Sequence, residues 1–168
     1  MSTVRGERRA GRERRRAQEF DSFVAGAAGR LLHTATLLTT EPLRPPGANP
    51  RALRLLTAAL ACTYARWDRL HGEDPYDRTR QELVVRFARE VWRHHRPRGG
   101  PLDPLTPQER LVLVLRLYEG VAEEQAAALL GLPADRLRAV CNRSVATLRG
   151  TRRPTARWWL RPSTRAVS

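Results

Sequence analysis

Lysine is absent from this 168-residue sequence: all 31 basic residues are arginine. A GC-rich genome accounts for that bias as economically as selection for bidentate phosphate contacts. Aromatics make up only 6%, and no apolar run approaches the roughly 18 residues that span a bilayer. The two cysteines, Cys62 and Cys141, lie far apart without CxxC spacing, which fits neither a disulfide framework nor a zinc site. His33, His71, His94 and His95 show no metal-ligand spacing with acids or cysteines. No nucleophile, base and orienting group can be assembled either. The sequence therefore gives no ground for an enzyme, a metal, a cofactor or a small-molecule substrate. Its size excludes a large multi-domain assembly. Met1 to Arg16 is arginine-rich with no apolar stretch behind it, unlike a secretory signal, so a cytoplasmic location is expected.

What is abundant is positive charge. The formal net charge is +14, but residues 1–16 contribute +5 and residues 150–168 another +5, leaving +4 for everything between. The excess sits mainly in two ends that could contact phosphates, RNA or an acidic lipid surface, so composition alone does not establish a DNA-binding surface.

Helical periodicity runs through every segment between prolines, and the fold class reads as all-α. Phe20, Phe23, Val24, Ala27, Leu31, Ala35 and Leu38 make one apolar stripe, ended by Pro42, Pro45 and Pro46. Asn49-Pro50 is a cap and first-turn pair for a second helix with the stripe Leu53, Leu56, Leu60, Tyr64 and Trp67, closing near His71-Gly72. Asp74-Pro75 repeats the start signal for a third helix, which should bury Leu83, Val84, Phe87, Ala88 and Val91 and run to about Arg96. Pro97, Gly99, Gly100, Pro101 and Pro104 then mark a short linker. Thr106-Pro107-Gln108-Glu109 is a capping box, so Thr106 and Glu109 can satisfy each other's backbone amides at the start of a helix reaching Gly120. A short helix from Ala122 to Leu130, the turn Gly131-Leu132-Pro133 and a last helix from Ala134 to about Arg149 complete the chain. The expected division is a basic disordered arm (1–16), a three-helix domain (17–96), the linker (97–105), a helix-turn-helix domain (106–150) and a basic tail (151–168). The tail, with Trp158 and Trp159 among arginines, could lie on a membrane surface or contact nucleic acid; as a proline-containing terminus its default is no ordered role.

Helix, tight glycine turn and helix is the spacing of a helix-turn-helix. Ala127 is small enough for a close crossing, Gly131 fits the corner, and Leu137 and Val140 lock the last helix inward. Arg136, Arg138, Asn142 and Arg143 then point outward, where they suit phosphate and base-edge contacts. An αα-hairpin with no nucleic-acid role fits the same pattern, and residues 104–149 carry a net charge of only +1. In the third helix Arg86, Arg89, Arg93 and Arg96 recur at steps of three and four beside Trp92, a candidate surface for unstacked bases or a solvated basic face.

Two blocks resemble the extracytoplasmic-function (ECF) sigma factors of bacterial RNA polymerase, in particular their actinobacterial SigE-like branch. Phe20-Asp21-Ser22-Phe23-Val24 with Leu31-Leu32-His33-Thr34-Ala35-Thr36-Leu37-Leu38-Thr39 is similar to the family's opening helix. Leu105-Thr106-Pro107-Gln108-Glu109-Arg110-Leu111 through Tyr118-Glu119-Gly120 is similar to the start of its C-terminal domain, and the likeness covers about residues 18–149. It implies a sigma region 2-like domain at 17–96 that binds the polymerase clamp and opens the downstream promoter element, with a region 4-like domain at 106–150 on the upstream element. It also implies RNA polymerase core and promoter DNA as partners, with an anti-sigma or other regulatory protein as a further one. Arg136-Leu137-Arg138-Ala139-Val140 stands where the family often has Thr-Val-Lys-Ser-Arg. The segment Arg51 to Leu60 lacks the acid and glutamine patch the family usually presents to the clamp. The expected function is a sigma-factor-like regulator of transcription initiation; the alternative is a degenerate homologue kept as a protein-interaction module.

Overall fold

The structure is a computed structural model that describes residues 2–45, 48–70 and 72–151. It is all-helical among the described residues: α1 (Ser2–Thr39), α2 (Pro50–Ala65), α3 (Pro75–Arg89), α4 (Pro107–Leu113), α5 (Glu123–Leu130) and α6 (Ala134–Thr151). Short 3-10 turns cover Trp67–Arg69 and Val91–His94, and α4 runs on into a π-helical turn, Val114–Tyr118. None of these helices is long and apolar enough to cross a membrane. The tail from Arg152 onward, with Trp158 and Trp159, lies outside the described residues.

The stripe of α1 is as the sequence implied from Ala27 onward: Ala27, Leu31, Ala35 and Leu38 are buried. The helix is longer than the stripe. Residues 2–16, expected as a disordered arm, are helical. Arginine is a good helix former, Arg9 pairs with Glu13 one turn on at 3.2 Å, and Arg16 is anchored by Asp68 at 3.0 Å and by the ring of Tyr64.

The inward face of α2 differs from the expected stripe. Ala52, Leu55, Leu56, Ala59 and Thr63 are buried, whereas Leu53 and Tyr64 are exposed and Leu60 is half-buried. Leucines stand on more than one side of the helix, so the stripe alone does not pick the inward face; the small Ala52 and Ala59 are fully buried on the helix that packs against α1 and α3. Asn49 precedes α2 but makes no side-chain cap. The buried Glu41 carboxylate accepts from the amides of Arg51 and Ala52 at 3.1 and 2.8 Å, an anion on the positive end of the helix. Asn49 is buried beside the Thr36 hydroxyl instead.

α3 starts as expected, with the Asp74 carboxylate accepting from the Tyr76 amide at 2.9 Å. It stops at Arg89 rather than near Arg96, and Ala88 is exposed. The tighter turn that follows buries His94.

Both halves share one core. The segment 97–105 joining them is short but no free tether: Leu102 and Leu105 are buried, and the Gly100 amide donates to the Thr40 carbonyl at 2.9 Å. A Cβ on Gly100 would come within 2.5 Å of that oxygen, so only glycine fits. Arg110, the largest fully buried side chain, donates to the carbonyls of Leu105 (3.0 Å), Leu38 (3.2 Å) and His94 (2.8 Å). The π turn, closed by Glu119 N–H donating to Val114 O at 2.9 Å, aims the buried Glu119 carboxylate at the N-terminal half. There it accepts from the hydroxyls of Thr34 and Tyr76, with Arg30 and Arg80 at 3.6 and 3.8 Å.

Candidate nucleic-acid interface

The capping box opens the C-terminal half as the sequence predicts: Thr106 Oγ1 accepts from the Glu109 amide and the Glu109 carboxylate accepts from the Thr106 amide. After α5, Gly131 takes the left-handed conformation at φ 64°, and the Leu132 amide donates back to Ala127 O at 3.0 Å. This closure satisfies the last carbonyls of α5 and turns the chain sharply into α6. Ala126, Ala127, Leu137, Val140 and Ser144 are buried between the two helices and α4.

Arg136, Arg138, Asn142 and Arg143 are all exposed on α6. At 100° per residue they form two flanks, Arg136 with Arg143 and Arg138 with Asn142, on either side of an outer ridge carrying Ala139 and Ala146. A ridge of small side chains can approach a groove floor closely while longer side chains on both flanks reach its walls. Two of the flanking guanidiniums are already engaged. Arg138 pairs with Glu123 through Nε at 3.2 Å and through Nη2, and Arg143 Nε meets Glu109 at 3.3 Å. The arginine side chains nevertheless stay 64% and 65% exposed. Exposed pairs of this kind contribute little to stability, so a phosphate can replace the carboxylate. Burial raises the Glu109 carboxyl, but the Thr106 and Arg143 hydrogen bonds outweigh it and hold the group below the usual range. The hydrogen bond from Arg138 does the same for Glu123.

The four candidates of the N-terminal half are not gathered on one helical face, because α3 ends between them. Arg86 is half-buried with Nη2 at 2.8 Å from Cys62 Sγ. Arg89 is exposed at the end of α3. Trp92 and Arg93 sit on the following turn, the guanidinium 4.7 Å from the ring and also 3.3 Å from Glu90. Trp92 is 67% exposed, so it is no core residue. An exposed indole with a cation on its face can stack an unpaired base. The sequence reading missed Arg110, Glu119 and His94. Arg110 is followed at i+3 and i+4 by the buried Leu113 and Val114 and so occupies a core position of an apolar repeat, whereas His94 lies on the turn beyond the end of α3, where no helical period points to it.

The chain is 27% identical over 156 aligned residues to the RNA polymerase sigma-E factor of Streptomyces coelicolor, covering 78% of this chain and 84% of the relative. It is similar at 27% to that of Streptomyces avermitilis and at 28% to that of Streptomyces antibioticus, again over 78% of this chain and 83% of each relative. The chain is thus similar to RNA polymerase sigma-E factors over most of its length. No family profile matches it, and no solved structure does. The likeness to the sigma-E factors spans more than either half of the chain alone.

Proposed function

We propose that this protein is a sigma-factor-like regulator that directs RNA polymerase to promoters, with α6 as its reader of double-stranded DNA. The observation that carries this reading is the helix-turn-helix itself: a left-handed Gly131 corner, a buried apolar seam, and four exposed polar or cationic side chains flanking a small-residue ridge, in a homologue of sigma-E factors. In this reading Arg136, Arg138 and Arg143 contact phosphates and Asn142 a base edge. Arg89, Trp92 and Arg93, with Arg86 behind them, face the melted strand. The partners are promoter DNA and the polymerase core, a cytoplasmic location follows, and the protein acts as a regulator rather than an enzyme.

Replacing Arg138 and Arg143 together by Ala should weaken duplex binding and reduce the slope of log affinity against log salt by about one unit per lost phosphate contact. Electrophoretic or fluorescence titration between about 50 and 200 mM salt measures this; an unchanged slope would remove α6 from the interface. Transcription reconstituted with core polymerase tests the wider claim.

A second reading, a homologue kept as a protein-interaction module that no longer serves as a polymerase subunit, is favoured by one feature: α2 has no acid in its sequence and exposes Leu53 and Tyr64. Core polymerase retained on the immobilised protein supports the first reading; loss of core binding with capture of an anti-sigma or other regulator supports the second.

A further inference from the structure

Between the start of α2 and the turn after α3 lies a cavity of about 500 Å³. Arg51, Arg54, Arg86 and Arg93 line it, together with His94 and one acid, Glu90. That acid is shared with Arg93 at 3.3 Å. Among the described residues, the side chains of Arg51 and Arg54 have no hydrogen-bond or ion-pair partner. They also stand on the first two turns of α2, where the helix dipole adds positive potential and no acid of the helix offsets it. Glu41 satisfies two amides of that end from the protein interior and leaves the guanidiniums unpaired.

Two further groups hold atoms without partners. The buried Arg86 Nε makes no hydrogen bond, although Nη2 of the same group reaches Cys62. His94 is 5% exposed, and both of its ring nitrogens are unpaired. Buried polar atoms are nearly always satisfied, so a cavity bringing such groups together with four cations is short of an acceptor.

We propose that this cavity binds the diphosphate group of a small anionic ligand, held by Arg51, Arg54, Arg86 and Arg93 with His94 against it. Guanidinium forks match phosphate oxygens two at a time. Four guanidiniums against the single Glu90 carboxylate leave three positive charges uncompensated, more than the two negative charges of one phosphate monoester balance, and a diphosphate supplies the third. A nucleic-acid backbone offers the same chemistry as isolated phosphodiesters, each with less charge in the same volume. The proposal is independent of the duplex-reading role of α6.

Calorimetric titration of the full chain with pyrophosphate, at matched ionic strength and pH 7, tests it. One site is expected, at least ten-fold tighter for pyrophosphate than for orthophosphate. Arg54→Ala should weaken it at least ten-fold, because Arg54 is exposed and removing it leaves the core intact. Arg12→Ala, an equal charge change on the exposed start of α1, should leave it unchanged. In NMR titrations of the His94 ring, saturating pyrophosphate should raise its midpoint. Equal affinity for the two anions, equal losses in the two variants, or an unmoved His94 midpoint would each overturn the proposal. So would binding of a single-stranded oligonucleotide without pyrophosphate binding, which would assign the cluster to the melted-strand surface instead. No DNA duplex enters the titration, so failure here and failure of the promoter-reading role are separate results.

Discussion

His94 shows at the scale of one residue how the cationic surroundings of this fold act on stability. Its ring stacks on Phe87 with centroids 4.4 Å apart, and burial, then Arg98, Arg110 and Arg51, push its pKa down from 6.5 to about 4, with Glu90 opposing. The folded state therefore keeps a neutral ring where the unfolded chain binds a proton. That contribution is fully present above pH 6.5 and is lost as the pH falls toward about 4. It amounts to at most about 3 to 4 kcal/mol, since each tenfold change in proton affinity corresponds to about 1.4 kcal/mol. Urea midpoints at pH 7 and pH 5 should differ accordingly, and His94→Phe, which keeps the stacking and cannot take a proton, should remove most of the difference. A variant as acid-sensitive as the parent would show that the loss arises elsewhere, for instance at Glu109 or Asp103, whose carboxyls are held below their usual range.

At the scale of elements, α2 separates what the sequence made legible from what it did not. Its existence and start were readable from Asn49-Pro50 and the run of apolar residues; its orientation was not. The leucines of α2 spread over more than one side, so the apolar stripe alone does not fix which of them faces inward, and the packing against α1 and α3 buries Ala52, Leu55, Leu56 and Ala59. Leu56→Ala should thus cost about 2 to 4 kcal/mol in chemical denaturation, by lost burial and a cavity. Leu53→Ala, at a site 39% exposed, should cost below about 0.5 kcal/mol. Comparable losses would mean that α2 packs through the face the apolar stripe suggested. The C-terminal helices were more legible because their signals are local: the capping box, the Gly131 corner and the Leu137 and Val140 seam each involve neighbours within a few residues. The basic cluster after α3 misled for the same reason. A step of three and four places arginines together only while the helix continues, and this one ends at Arg89. Buried Arg110 and Glu119 rest on partners more than 70 residues away in sequence, Leu38 for one and Thr34 for the other.

At the scale of the whole molecule, those two charged residues join halves that the sequence presents as separate. Glu119 is the more telling, because its partners all belong to the other half: Thr34 and Arg30 of α1, Tyr76 and Arg80 of α3. Removing the carboxylate with Glu119→Ala leaves the Tyr76 hydroxyl without its acceptor. Thr34 keeps its bond to Arg30 O, and Arg80 keeps Asp77 at 2.9 Å. With most partners retaining a second bond, the loss should be about 2 to 3 kcal/mol, toward the lower end for a broken buried pair. Its location matters more than its size. Hydrogen exchange should show α5 and α6 opening in Glu119→Ala at a free energy below that of α1 to α3, whereas the parent protects both sets alike, because a shared core opens as one unit. Alkaline titration gives an independent check. Burial and the Glu119 charge hold the Tyr76 phenol protonated well past its usual 10, so that part of the stability is complete below pH 10 and is lost as the pH rises further. Without Glu119 that alkaline loss should shrink. Uniform protection in the variant, with an unchanged alkaline limb, would mean that the shared apolar core alone binds the halves together and that the buried carboxylate contributes nothing to their union.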